Sequence, residues 1–555
     1  MDCVRRWFLL ERGYRLAPLL PGKPVTNLKR LHSMRDRTLR RRDERLDSET
    51  RLVAVTKVLA ITTGALLLGL LISWLLYGLY GSQLVETLYR GEVTWLRDRI
   101  MVGREIHPLE DYYRIADELM LIWTLRAVWV VICLLLLIAF IWLRLSENKT
   151  KDFRFMPFAV LLCYTLALLY SQFYFGSYSV VGRYFAIHPI PYFVDLKVLL
   201  CGIDAVRSNA NPYTALCLYG KSHFNYPYIW GFLASLPFMT ESNALYIGIL
   251  LASLFFSFLY FFIGKITLSG AIVYSALFLS PAVMLGVERG NSDLIIFLLL
   301  LIPVFYHHSQ KLLAFVVLLS GMLKLFPIGA ITAIFYRLKD NKKQSFVLFF
   351  SIGLAFLFYL ILAMDNILLV SQKTPRPYGH ISYGLGALPS LLGDSFPSWR
   401  PYIRVLYPLI ILFGYFPFYR LVGKQLGRVK CAANKPSLSF VIGSSIFIIT
   451  CLIGYNYEYR LIFLLFTIPQ ILIWISENNQ FVFLPLLLSI FILWQSFIGM
   501  IAPQTPFKLD YVYISQIFVV VLFYCHITTL FEFGKERLKQ ILPLISIKKF
   551  HCISS

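Results

Sequence analysis

Charge is scarce in this chain. Of its 555 residues, 15% are Asp, Glu, Lys or Arg, where a soluble globular domain carries roughly 25%. Motifs for nucleotide and metal chemistry are missing as well. No GxxxxGK[ST] or GxGxxG stretch occurs, which speaks against ATP-driven work or a dinucleotide cofactor. The nine cysteines show neither CxxC nor a Cys/His ligand spacing, so no zinc site is indicated. No DxD occurs, so a metal-held nucleotide sugar has no support, and neither a metal nor a cofactor is expected.

What the chain has is apolar length. It is 58% hydrophobic and 16% aromatic, in repeated runs of about 20 residues, the length a helix needs to cross a bilayer. The expectation is an all-α, polytopic membrane protein of about 12–14 transmembrane helices. Its net charge of +23 clusters between apolar runs, as cytoplasmic loops do, rather than marking a nucleic-acid partner. Residues 1–57 hold fifteen Lys and Arg against seven Asp and Glu. The expected division is a basic cytoplasmic arm at 1–52 and an additional hairpin at 53–154. A catalytic membrane domain at 155–530 and a cytoplasmic tail at 531–555 follow.

Polar interruptions of the apolar pattern are the candidate site. With loop charge setting orientation, five of them fall on the outer face: the loop Tyr192–Tyr213 with Asp195, GVERGNSD at 286–293, the break KLFP at 324–327, a loop with His380, and GYNYEYR at 454–460. Asp195 reads either as a helix cap or as a general base acting on a hydroxyl. Glu288, Arg289, Asn291 and Asp293 read either as an internal salt-bridged turn or as a head-group site, since charge at membrane depth pairs or lines a cavity. Lys324 either snorkels or offers charge to a phosphate. Arg460 and Arg183 are further phosphate candidates because a planar guanidinium suits phosphate oxygens, and Glu458 is an expected partner of Arg460. The outer tyrosines and Trp230 read as an interfacial aromatic belt. Cys201 and Cys217 share the outer side and can pair in an oxidising compartment.

The order of these motifs (Asp195, NPY at 211–213, YPY at 226–228, ERGN, K-x-x-P and Y-x-Y) resembles GT-C glycosyltransferases. More narrowly, it is similar to the polyprenyl-phosphomannose-dependent α-mannosyltransferases, glycosyltransferase family 87, over about residues 155–500. The resemblance implies a multispanning helical fold with Asp195 as the catalytic residue and a polyprenyl-phosphate sugar as donor, mannose by analogy. Lys324 matches the family's Lys before Pro, and His380 lies in a segment matched to the acceptor side. The ERGN turn departs from the family's Gly-Gln-x-Asn, which puts donor contact by Glu288 or Arg289 in question. The catalytic loop follows the third span rather than the first. The implied partners are the donor, a glycolipid or glycan acceptor and membrane lipids. The implied location is a plasma membrane, with the active face extracytoplasmic and both termini cytoplasmic. A lipid-linked sugar transporter and an oligosaccharide ligase or polymerase are the competing functions; a transporter would be expected to show paired broken helices.

Overall fold

The computed structural model describes residues 152–175, 193–217, 222–335, 342–374, 382–426, 434–454, 456–477, 480–497 and 508–551. The basic arm, most of the 53–154 hairpin, Arg183 and His380 lie outside the described residues.

The described chain is helical, with two pairs of two-residue strands. Helix α1 is Phe155–Phe175, α2 is Val194–Arg207, and β1 (Leu216–Cys217) and β2 (Ser222–His223) form an antiparallel pair. A 3-10 helix at Tyr228–Ser235 leads to α3 (Ala244–Ile263), α4 (Leu268–Phe278), α5 (Pro281–Glu288), α6 (Ser292–Phe305) and α7 (Gln310–Lys324). A second 3-10 stretch, Phe326–Ile331, precedes α8 (Lys342–Leu362) and α9 (Met364–Lys373). Then come β3 (Ser382–Tyr383), α10 (Ala387–Ser395), α11 (Arg400–Phe418), α12 (Lys435–Ile453) and β4 (Asn456–Tyr457). The 3-10 helix Glu458–Phe466, α13 (Ile468–Ser476), α14 (Phe483–Leu493) and α15 (Lys508–His551) complete the order.

Five helices among the described residues are long and apolar enough to cross a membrane, or seven if two bent pairs each count as one. The chain is therefore a helical membrane protein. The higher expected count differs for two reasons. The 53–143 region lies outside the described residues, and the runs near 293–306, 311–337 and 480–499 fold as helices of at most 15 residues. At 1.5 Å per residue, none of these crosses a bilayer alone.

Both bent pairs break in the same way. Between α4 and α5 the axis turns by 53° at Pro281, which has no N–H to give and crowds the preceding turn. The Ser280 hydroxyl donates to Leu277 O at 2.6 Å. Between Glu458–Phe466 and α13 the axis turns by 49° at Pro469, and Thr467 Oγ1 donates to Leu464 O at 2.7 Å. In each case a hydroxyl side chain supplies a hydrogen bond where the ladder is interrupted.

The core forms where α12 meets the two 3-10 stretches. Gly443 lets α12 approach so closely that an added Cβ would lie 2.8 Å from Phe463 O, and Gly329 sits against Ile449 and the Ser445 carbonyl. Small residues at such crossings replace the hydrophobic drive that is absent between helices in lipid. Helices α8 and α11 instead turn apolar side chains such as Phe350, Leu354, Phe413 and Phe416 outward, as lipid-facing helices do.

Candidate functional site

Within the Tyr192–Tyr213 stretch, Val194–Arg207 is a helix rather than a loop. Its apolar positions Leu196, Leu199, Leu200 and Ile203 recur at helical spacing and are all buried, so packing overrides the polar residues between them. Asp195 is in the first turn, and Phe193, with φ 53°, occupies the cap position without a side-chain cap bond. The cap reading of Asp195 is thereby set aside.

Helix α2 begins where α5 ends. The Phe193 amide donates to Glu288 O at 2.9 Å, and the Asp195 and Leu196 amides donate to Arg289 O at 3.0 and 3.3 Å. The unpaired amides of one helix start thus satisfy the unpaired carbonyls of another helix end. Gly290 permits the joint: it has φ +58°, and a Cβ there would lie 3.0 Å from Leu196 Cβ.

This joint sets side chains from distant parts of the chain into one network. Arg289 clasps Asp195 with two bonds, Nε to Oδ2 at 3.0 Å and Nη2 to Oδ1 at 2.5 Å. Asn291 Nδ2 also donates to Asp195 Oδ2. Lys324, the last residue of α7, gives its ammonium to Asn291 Oδ1 and Ser292 Oγ, each at 2.9 Å, and pairs with Asp293 Oδ1 at 2.5 Å. Arg460 Nε lies 4.0 Å from Asp293 Oδ2, its Nη1 donates to Asn456 Oδ1, and its guanidinium lies over the Phe326 ring at 5.1 Å.

The network revises several expectations. An ammonium has three N–H groups, and those of Lys324 face three protein acceptors, so a phosphate would have to displace one. Its aliphatic stem does not snorkel; the side chain is held inside, with the rings of Tyr226 and Tyr459 at 5.9 and 6.0 Å from Nζ. Arg460 pairs with Asp293 rather than Glu458, which is fully buried beside Ser496. Tyr213, Tyr226, Trp230 and Tyr459 are buried and not part of a belt. Tyr213 donates to Tyr226 O, Tyr226 donates to Asp195 O, and Trp230 donates to Leu323 O. Burial raises the Tyr226 phenol well above its usual pKa, which keeps it a neutral donor.

Asn291 is 2% exposed and Asp293 1%, so both lie beneath the more exposed Arg289 and Arg460. Glu288 is half-buried behind Arg289 and acts on it and on Asp195 electrostatically. Of the cluster's cations, Arg289 and Arg460 keep N–H groups without a hydrogen-bond partner among the described residues. Arg183 and His380 cannot be located, but the strand just after His380 reaches the cluster: Ser382 and Tyr383 pair with Tyr457 and Asn456. Asp293, read from the sequence as part of the 286–293 turn, is the buried carboxylate of the cluster, and Tyr226 and Tyr459, expected only as interfacial aromatics, join it. An Asn-Ser-Asp run opening an apolar helix was the available signal for Asp293; the tyrosines carried none beyond their place beside turns.

Around the cluster, covalent and ionic ties hold α2. Cys201 and Cys217 form a disulfide that joins α2 to β1. Arg207 donates to the carbonyls of Ala234, Leu236 and Met239, and Asp204 accepts from the Glu241 amide. Among the described residues no group of His, Cys, Asp and Glu is arranged to hold a metal ion. No family model, curated protein or solved structure matches the chain.

Proposed function

We propose that the protein is a membrane glycosyltransferase that moves a hexose from a polyprenyl-phosphate donor to a hydroxyl acceptor. The observation that carries this reading is the convergence of Asp195, Arg289, Lys324 and Arg460, spread over 266 residues of sequence, on one partly exposed cluster in an otherwise apolar protein. A carboxylate acting as base beside cations that can receive a leaving phosphate is what glycosyl transfer from a lipid phosphate requires.

In the proposed step the acceptor oxygen attacks the sugar C1 while Asp195 takes the hydroxyl proton. The bond from C1 to the phosphate oxygen breaks, its electron pair goes to that oxygen, and polyprenyl phosphate departs carrying one more negative charge. Configuration at C1 inverts. Arg289 and Arg460 meet the growing charge, the kind of stabilisation that commonly contributes most to catalysis; Lys324 and Asp293 set the field around them. The hexose proposed is mannose, and the acceptor a glycolipid or glycan. The Cys201–Cys217 disulfide supports an extracytoplasmic active face, because disulfides persist in oxidising compartments. A plasma membrane with both termini cytoplasmic is the matching arrangement.

The test is direct. Purified protein in lipid is given polyprenyl-phosphate hexoses one at a time together with membrane lipid extract, and donor loss and new glycosylated product are followed by mass spectrometry. Wild type should consume one donor and Asp195→Asn should not. Donor consumption by neither protein, with transbilayer movement of the lipid-linked sugar, would replace this reading with a transporter.

A further inference from the structure

We propose that the donor phosphate and Asp195 compete for Arg289, so that donor binding is what releases the base. This rests on the glycosyltransferase reading and adds an order of events to it.

Arg289 is the most exposed member of the ionic network, at 26%, against 12% for Asp195 and Lys324, 18% for Arg460 and 2% for Asp293. Among the described residues its side-chain hydrogen bonds run to Asp195 alone, whereas Lys324 is held by three acceptors at once. An arriving anion therefore meets Arg289 first and displaces fewer bonds there than at Lys324. A phosphate and a carboxylate present the same two-oxygen edge to a guanidinium, so one replaces the other without a change of geometry at Arg289.

The two oxygens of Asp195 respond differently. Among the described residues Oδ1 accepts only from Arg289 Nη2, whereas Oδ2 accepts from Arg289 Nε and from Asn291. When Arg289 turns to a phosphate, Oδ1 loses its single donor and becomes free to accept a proton. Oδ2 stays fixed by Asn291, which is itself anchored by Lys324. The Asp195 amide remains on Arg289 O, so the helix does not follow the guanidinium. Without donor, the carboxylate is occupied and an acceptor hydroxyl is not deprotonated; with donor, the base is bare and already aimed.

The measurement is a double-mutant cycle of affinity for citronellyl phosphate, a short isoprenyl phosphate, by calorimetry on full-length protein in detergent. Because apparent affinity falls by the fraction of binding-competent state, Asp195→Asn should bind about tenfold more tightly than wild type, while Arg289→Gln binds more weakly. In the Arg289→Gln background, Asp195→Asn should add little, since the contested residue is gone. Equal affinity in wild type and Asp195→Asn overturns the inference. So does an undiminished gain in the Arg289→Gln background, which would mean plain repulsion between carboxylate and phosphate. If Arg289→Gln does not purify as a monodisperse protein, Arg289→Lys takes its place and the gain should again shrink. Absence of binding by wild type and Asp195→Asn alike would remove the lipid-phosphate reading itself. Inorganic phosphate titrated alone separates the anion from the lipid: competition seen there, with no binding of citronellyl phosphate by either protein, keeps the Arg289 contest and removes the lipid donor.

Discussion

Asn291 is shared by Asp195 and Lys324: its amide nitrogen donates to Asp195 Oδ2 and its amide oxygen accepts from Lys324 Nζ. No other side-chain type of this shape offers a donor to a carboxylate and an acceptor to an ammonium at once. Asn291→Asp keeps the volume and reverses half of that function. A second carboxylate would then face Asp195 in a nearly closed space. The expected outcome is a loss of turnover of about 10²-fold or more, within the range assigned to a misplaced general base, with the protein still purifying as a folded species. Product formation and thermal melting, measured side by side, check it.

Lys324 and Asp293 are a buried pair, and breaking one differs from removing both. Lys324→Met leaves Asp293, 1% exposed, with Arg460 4.0 Å away as its remaining ionic contact. Single removal of a buried partner costs about 3–5 kcal/mol. Lys324→Met combined with Asp293→Leu should recover a large part of that loss. Denaturation midpoints of the two singles and the double, in one detergent, decide the matter; strictly additive losses would show that the pair is not energetically coupled.

Two glycines should respond in opposite ways to Ala. At Gly290 the backbone has φ +58° and the new Cβ would press on Leu196 and Phe193, so the α2–α5 joint would shift. A loss of about 1–2 kcal/mol is expected from the left-handed conformation alone, together with reduced turnover. At Gly353, in the middle of α8, a Cβ would meet nothing within 4 Å. There a methyl group should be neutral, or stabilise by about 0.5–1 kcal/mol. Melting temperatures of the two variants against wild type provide the comparison.

The Cys201–Cys217 bridge closes a short loop between α2 and β1. Cys201→Ser combined with Cys217→Ser should lower stability by about 2–4 kcal/mol and expose residues 208–217 to limited proteolysis. Alkylation before and after reduction, read by mass spectrometry, should label Cys201 and Cys217 only after reduction.

The sequence made the helices legible and the end of α7 at Lys324 as well, because apolar runs and the KLFP proline mark them directly. The 3-10 character of Tyr228–Ser235 and Glu458–Phe466 was not legible. In both, short apolar runs begin at an aromatic turn, and a run of that length has no distinctive period. The nature of α2 was obscured by its charges: Asp204 and Arg207 look like loop residues until Arg207 is seen tying down the carbonyls of residues 234–239. Within the site, the residue types that bear charge were visible, but their pairing was not. Nothing local in Lys324 reveals that Asn291, Ser292 and Asp293 will face it, since those contacts depend on how α6 and α7 end.

Arg289 holds Asp195 twice, by its own carbonyl on the amide and by its guanidinium on the carboxylate. The two grips have different strengths in time. A main-chain bond at a helix junction lets go only when helices part, whereas a side chain 26% exposed swings on its own. One residue thus serves as both bearing and latch for another. In the proposed reaction the latch would open and close in every turnover while the bearing keeps the Asp195 carboxylate where it was, and the protein would reset without refolding any part of itself.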